Sequence, residues 1–128
     1  MKGALKVLGI IILIFAVIAA SGMFYISRGL EEGLNVSIDS VNLSNIDDGV
    51  YKGSYEHGRW SNVLNVTVKN HKITSIEIED DMMIVNPDVR GELLQRVMEE
   101  QNTTVDAVSG GTVSSKAYLK SIENALKK

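Results

Sequence analysis

The stretch of this chain best equipped for chemistry is Val105-Asp106-Ala107-Val108-Ser109-Gly110-Gly111-Thr112. Two adjacent glycines free the backbone to turn sharply and to let a ligand come close. A helical pattern of apolar residues follows at once. The first N–H groups of a helix have no partner inside it, and together with the helix dipole they form a seat for an anion such as phosphate. Ser109, Thr112, Ser114 and Ser115 surround that seat with hydroxyls. On the residues alone two readings stand level: an anion site, or a capped helix start after a flexible loop.

Little else in the chain reads as reactive. His57 and His71 fall in turn-like stretches and belong to no metal-binding or catalytic spacing. The chain has no cysteine, which excludes disulfides, thiolate metal sites and a lipoprotein anchor. The 16 acidic residues all lie beyond residue 29, whereas three of the 13 Lys and Arg precede it. The C-terminal part is therefore acidic, and such a surface repels phosphate backbones, which argues against nucleic-acid binding. Asn-x-Ser/Thr triplets begin at Asn35, Asn42, Asn65 and Asn102 and matter only in a glycosylating host.

The elements that must position the loop can be read along the chain. Residues 7–27 (VLGIIILIFAVIAASGMFYIS) carry no charge, and as a helix they would span about 30 Å, the thickness of a bilayer's hydrocarbon core. Lys2 and Lys6 precede the run and Arg28, Glu31 and Glu32 follow it, which predicts a cytoplasmic N-terminus and an extracytoplasmic C-terminal domain. A cleaved signal peptide is the rival reading, because Ala19-Ala20-Ser21 offers small residues to a peptidase. The run is longer than a usual signal core, and we read it as a retained transmembrane anchor. Residues 28–46 lack periodicity and read as a linker with room for one short strand. The folded domain is expected over 47–128.

Within it, Val50–Glu56 has the aromatic and β-branched content of a strand, with Gly53 marking a bulge or a close backbone approach. Leu64, Val66 and Val68 alternate with polar residues in a second strand. Asn70-His71 makes a tight turn into a third strand, Lys72–Glu79, with Ile76 and Ile78 inward. Asn86-Pro87-Asp88 supplies a cap, a first-turn proline and an acid at a helix start. Val89, Leu93, Leu94, Val97 and Met98 then form one stripe. A last helix, from about Val113 to Lys127, is expected to bury Tyr118, Leu119, Ile122 and Leu126. Strands followed by helices predict an α+β domain, a small antiparallel sheet with two helices packed on one face, preceded by a single transmembrane helix.

DGVYKGSY at Asp48–Tyr55, NVTVKNHKITSIEI at Asn65–Ile78 and VDAVSGGTVSSKAYLKSIENAL at Val105–Leu126 resemble the FMN-binding domain family. That family includes the flavin-bearing subunits of sodium-pumping NADH:quinone oxidoreductase and of the related ferredoxin-linked ion pump. The last segment is similar to the family's Asp-x-x-Ser-Gly-Ala-Thr pattern followed by a helix. The resemblance implies FMN as cofactor, joined by a flavin transferase to the hydroxyl of Thr112 as a phosphoester. Asp106, Ser109 and Gly110 match further pattern positions, and Gly111 stands where the pattern has alanine. Glycine there preserves close approach while loosening the loop. Tyr51, Tyr55, Trp60, Met82 and Met83 are candidates to stack on the flavin ring. The implied role is electron transfer with other redox proteins or a membrane redox complex. A module holding FMN non-covalently and an adaptor subunit without flavin are the alternatives.

Overall fold

The computed structural model describes residues 1–27 and 30–127. Helix α1 (Lys2–Ser27) stands clear of the domain along nearly all its length. Its Lys2–Tyr25 stretch, with a mean hydropathy of 2.8, is long and apolar enough to cross a membrane, a property that anchors and signal sequences share. A short helix, α2 (Leu30–Leu34), follows.

Strands β1 (Gly49–Tyr55), β2 (Asn62–Lys69) and β3 (Lys72–Asp80) form one antiparallel sheet in the order β1-β2-β3. Asn70 and His71 both have positive φ, 53° and 61°, as a two-residue hairpin between twisted strands requires. Leu64, Val66 and Val68 are buried on the inner face. Of two register shifts between β2 and β3, one leaves Thr74 as an extra residue: Val68 pairs with Ile73 but Thr67 with Ser75. That bulge resets the alternation and keeps Ile73, Ile76 and Ile78 all on the core side.

Helices α3 (Pro87–Glu100) and α4 (Thr112–Leu126) complete the α+β domain. In α3, Val89, Leu93 and Val97 are buried and Leu94 and Met98 half-buried. Tyr118, Leu119, Ile122 and Leu126 of α4 are buried, as their spacing predicts. Gly53 is the point of closest approach between α4 and the sheet. A Cβ there would lie 2.0 Å from the Ser121 carbonyl oxygen and 2.6 Å from the Ala125 nitrogen. Of the two meanings open for Gly53, close approach holds: any larger residue would lift α4 off β1. At the end of α3, Gln101 turns left-handed, with φ 54°. Its side-chain amide accepts from Ile73 N–H (2.6 Å) and donates to Ile73 C=O (3.1 Å) on the outer edge of β3.

The stretch expected as a linker with a short strand contains no strand among its described residues; it holds α2 and a 3-10 turn at Leu43–Asn45. Val41 and Leu43 are buried in the core. The Thr103 hydroxyl donates to the Asp39 carbonyl (2.6 Å), and the Asn102 side chain meets both backbone groups of Val41. Nδ1 of His71 lies 3.1 Å from the carbonyls of Leu43 and Ile46; facing two acceptors, it carries the proton. Residues 35–46 are thus packed onto the domain, held mostly by backbone groups that periodicity does not reveal.

Candidate functional site

The glycine loop is built from its polar contacts outward. Gly111 N–H donates to Val108 C=O (3.0 Å), and Gly110 takes φ 82°, the left-handed conformation needed at the third position of such a turn. Ser115, fully buried, turns inward, and its Oγ accepts from Val108 N–H (3.1 Å). This hydroxyl therefore fastens the loop to α4 and is not part of the open seat. Arg96 of α3 donates to the Asp106 carbonyl (2.9 Å) and holds the loop's other limb.

What the loop presents is an unfinished helix end. The cap residue of α4 is Gly111, which makes no side-chain cap hydrogen bond, and the first turn contains no acid. The hydroxyl-bearing Thr112 is exposed there. The first helical hydrogen bond runs from Ser115 N–H to Gly111 C=O, so the N–H groups of Thr112, Val113 and Ser114 have no intrahelical acceptor.

A cleft of about 320 Å³ opens beside this end, lined by Leu30, Arg59, Trp60 and the segment from Gly110 to Ser114. Among the described lining residues Arg59 supplies the one ionisable side chain. The guanidinium carbon lies 4.3 Å from the centre of the Trp60 ring, and the enclosed Nε has no hydrogen-bond partner among the described residues. A stacked guanidinium with an unmet donor has a charge-assisted hydrogen bond to offer an anion. The turn bearing it is fixed from beneath: buried Asn62 donates to the Trp60 carbonyl (3.1 Å) and accepts from the Ser121 hydroxyl (2.6 Å). Arg59 C=O in turn accepts from Met83 N–H (3.0 Å).

Behind the cleft, Asp81 ties three elements together. It accepts from Tyr118 Oη (2.6 Å), from Met82 N–H (2.8 Å) and from Arg90. Burial pushes the Asp81 carboxyl up, but the bonds from Tyr118, Met82 and Arg90 outweigh it and hold the group below the usual carboxylate range. Burial and the bond to Asp81 push the Tyr118 phenol well above the ordinary tyrosine value.

Of the residues singled out from the sequence, Thr112, Gly110, Gly111 and Ser114 line the cleft, and exposed Ser109 precedes it in the turn. Asp106 lines a different hollow, with Arg96, Glu99, Glu100, Thr104 and Val105. Among the aromatic candidates Trp60 lines the cleft, while Tyr51 lies toward the other end of the sheet and bonds the Asp47 carbonyl. Tyr55 and Met82 are buried in the core, and Met83 is exposed. Arg59 is the residue that sequence reasoning missed: in His57-Gly58-Arg59 it reads as one more turn residue. No group of His, Asp or Glu among the described residues could hold a metal ion.

The cleft thus joins a cation, helix-start N–H groups without an intrahelical acceptor and an exposed threonine, groups able to hold an anion. A family model, the FMN-binding domain, matches residues 58–127, more than half of the chain. The chain belongs to that family. Among curated proteins none matches it.

Proposed function

We propose, from membership of the FMN-binding domain family, that the chain is a membrane-anchored, extracytoplasmic FMN carrier with the flavin phosphate esterified to Thr112. The observation that carries this reading is the exposed Thr112 at the start of α4, which shares its cleft with Arg59. The residues fit the group. Arg59 supplies the counter-charge, the N–H groups of Thr112–Ser114 supply hydrogen bonds to phosphate oxygens, and Gly110 keeps the approach clear of side chains.

In attachment, Thr112 Oγ1 would form the new bond to the flavin phosphorus and give up its proton, as the phosphoanhydride bond of a flavin dinucleotide held by the transferase breaks and the nucleoside monophosphate leaves with that bond's electron pair. When bound, FMN supplies one- and two-electron transfer, so the protein's task is to position and insulate it. Trp60 offers an apolar wall beside the phosphate seat. The chain serves as a carrier between other redox proteins at the outer membrane face. Lys2 and Lys6, in the first turns of α1 ahead of its apolar run, support that orientation.

The test is co-expression with a flavin transferase, followed by intact-chain mass after acid precipitation. The wild type should retain the mass of one FMN and Thr112→Ala none, with the fold unchanged. Undiminished label in Thr112→Ala would move the linkage to another hydroxyl, Ser109 or Ser114 first. A yellow native protein that loses its colour on denaturation would make the binding non-covalent.

A further inference from the structure

Met83 and Ile84, in the loop after β3, are 63% and 55% exposed. Among the described residues beyond α2, the only other large apolar side chain so exposed is Val50, which stands alone near the far end of β1. Two adjacent exposed apolar residues cost solubility without serving the core, and their place in the fold suggests what covers them. Met83 N–H is bonded to Arg59 C=O, so the loop hangs from the Gly58–Trp60 turn. Helix α1 makes its contact with the domain at that same turn, and Leu30, just beyond α1, lines the cleft with Arg59 and Trp60. The apolar pair therefore sits at the end of the domain where the anchor joins it.

We propose that Met83 and Ile84 enter the lipid surface beside α1, which fixes the domain with the Thr112 cleft held at headgroup level. The occupant is the bilayer itself. A tether alone leaves a domain free to tumble, but a second apolar contact a short way from the first stops that rotation. Insertion is shallow, about 5–10 Å, the depth typical of interfacial apolar groups. The exposed carboxylates of Asp80 and Asp88 on either side of the loop stay in water, and Asp81 is neutralised by Arg90. Arg59 is then close to lipid phosphates as well as to the cleft. The inference rests on reading α1 as a retained anchor.

The chain has no cysteine, so single-cysteine variants take one label each. Met83→Cys, Ile84→Cys and, as control, Val50→Cys change exposed positions only. Val50 lies five residues from Tyr55 along β1, about 17 Å away from the turn that meets α1. Each full-length variant is nitroxide-labelled and reconstituted into vesicles of phosphatidylcholine and phosphatidylglycerol. Collision rates are then measured with oxygen, which enters lipid, and with a water-soluble nickel chelate. The oxygen-to-nickel ratio at 83 and 84 should exceed that at 50 several-fold. Equal ratios in protein that floats with the vesicles would overturn the insertion while leaving the anchor in place. Protein that fails to float would remove both.

Discussion

Helices α3 and α4 begin side by side, so close that a Cβ on Gly111 would lie 2.5 Å from Val89 Cγ1, yet their first turns are finished in opposite ways. The α3 start is closed. Asn86 accepts from the N–H groups of Asp88 (3.1 Å) and Val89 (3.4 Å), Pro87 has no N–H to satisfy, and Asp88 faces the dipole. The α4 start has none of these: a glycine cap, no first-turn acid, and a nearby arginine with an unmet donor. One chain, two neighbouring helices of 14 and 15 residues, and only one is left without its cap. An end that serves the fold satisfies itself; an end kept for a ligand leaves its donors free.

The comparison can be broken in several ways, and the largest effect is expected at alkaline pH. The closed side leans on Asp81, which joins Arg90 in the first turn of α3 to Tyr118 of α4. Folded Tyr118 keeps its proton above the usual tyrosine value, whereas the unfolded chain loses it near pH 10. Stability is therefore full below about pH 10 and falls as pH rises further. Asp81 acts in the opposite sense: its contribution is present above about pH 4 and is lost on acidification. Denaturant melts from pH 8 to 11 should show a steep decline in the wild type and a shallower one in Tyr118→Phe. Equal slopes would mean that this tyrosine is not the group being held.

Next in size is Gly111→Ala, which restores the alanine of the family pattern. The new methyl would meet Cγ1 and Cγ2 of Val89 at 2.5 and 3.0 Å, so overpacking should cost about 1–3 kcal/mol. Val89→Ala made in the same chain should recover part of that loss, a coupling that a double-mutant cycle measures directly. Additive losses would show that the two starts do not press on each other. The departure from the family pattern thus looks outward from the loop, to a valine on the neighbouring helix.

The smallest effects separate the two caps. Asn86→Ala should cost about 1 kcal/mol, as loss of a working N-cap does. Thr112→Ala should change stability by no more than about 0.5 kcal/mol, because its hydroxyl is exposed and caps nothing. Urea melts of the flavin-free protein give both numbers. Similar losses at the two positions would mean that α4 is capped after all and that its open end is not reserved.

What the sequence discloses follows the same division. Regular elements are legible because burial imposes a period: alternation at Leu64, Val66 and Val68, and the helical stripe of Val89, Leu93 and Val97. Asn86-Pro87-Asp88 is legible because capping chemistry is local. Ser115 was misleading among the loop hydroxyls, although its spacing from Tyr118, Leu119 and Ile122 places it on the buried face. Arg59 was not legible at all, since its meaning depends on an approach across some fifty residues of chain to Gly110–Ser114. The packing of residues 35–46 escaped for a related reason: Asn102, Thr103 and His71 hold them through backbone carbonyls and N–H groups, which leave no trace in side-chain pattern.

The Gln101 amide, bonded to both backbone groups of Ile73, has a further consequence when copies of this domain meet. The outer edge of a sheet such as that of β3 offers a row of strand-pairing groups to any neighbour. At Ile73 that row is already filled by a side chain imitating a strand. Two domains that collide edge to edge therefore find the register interrupted near the start of β3, and a sheet cannot run on from one copy to the next.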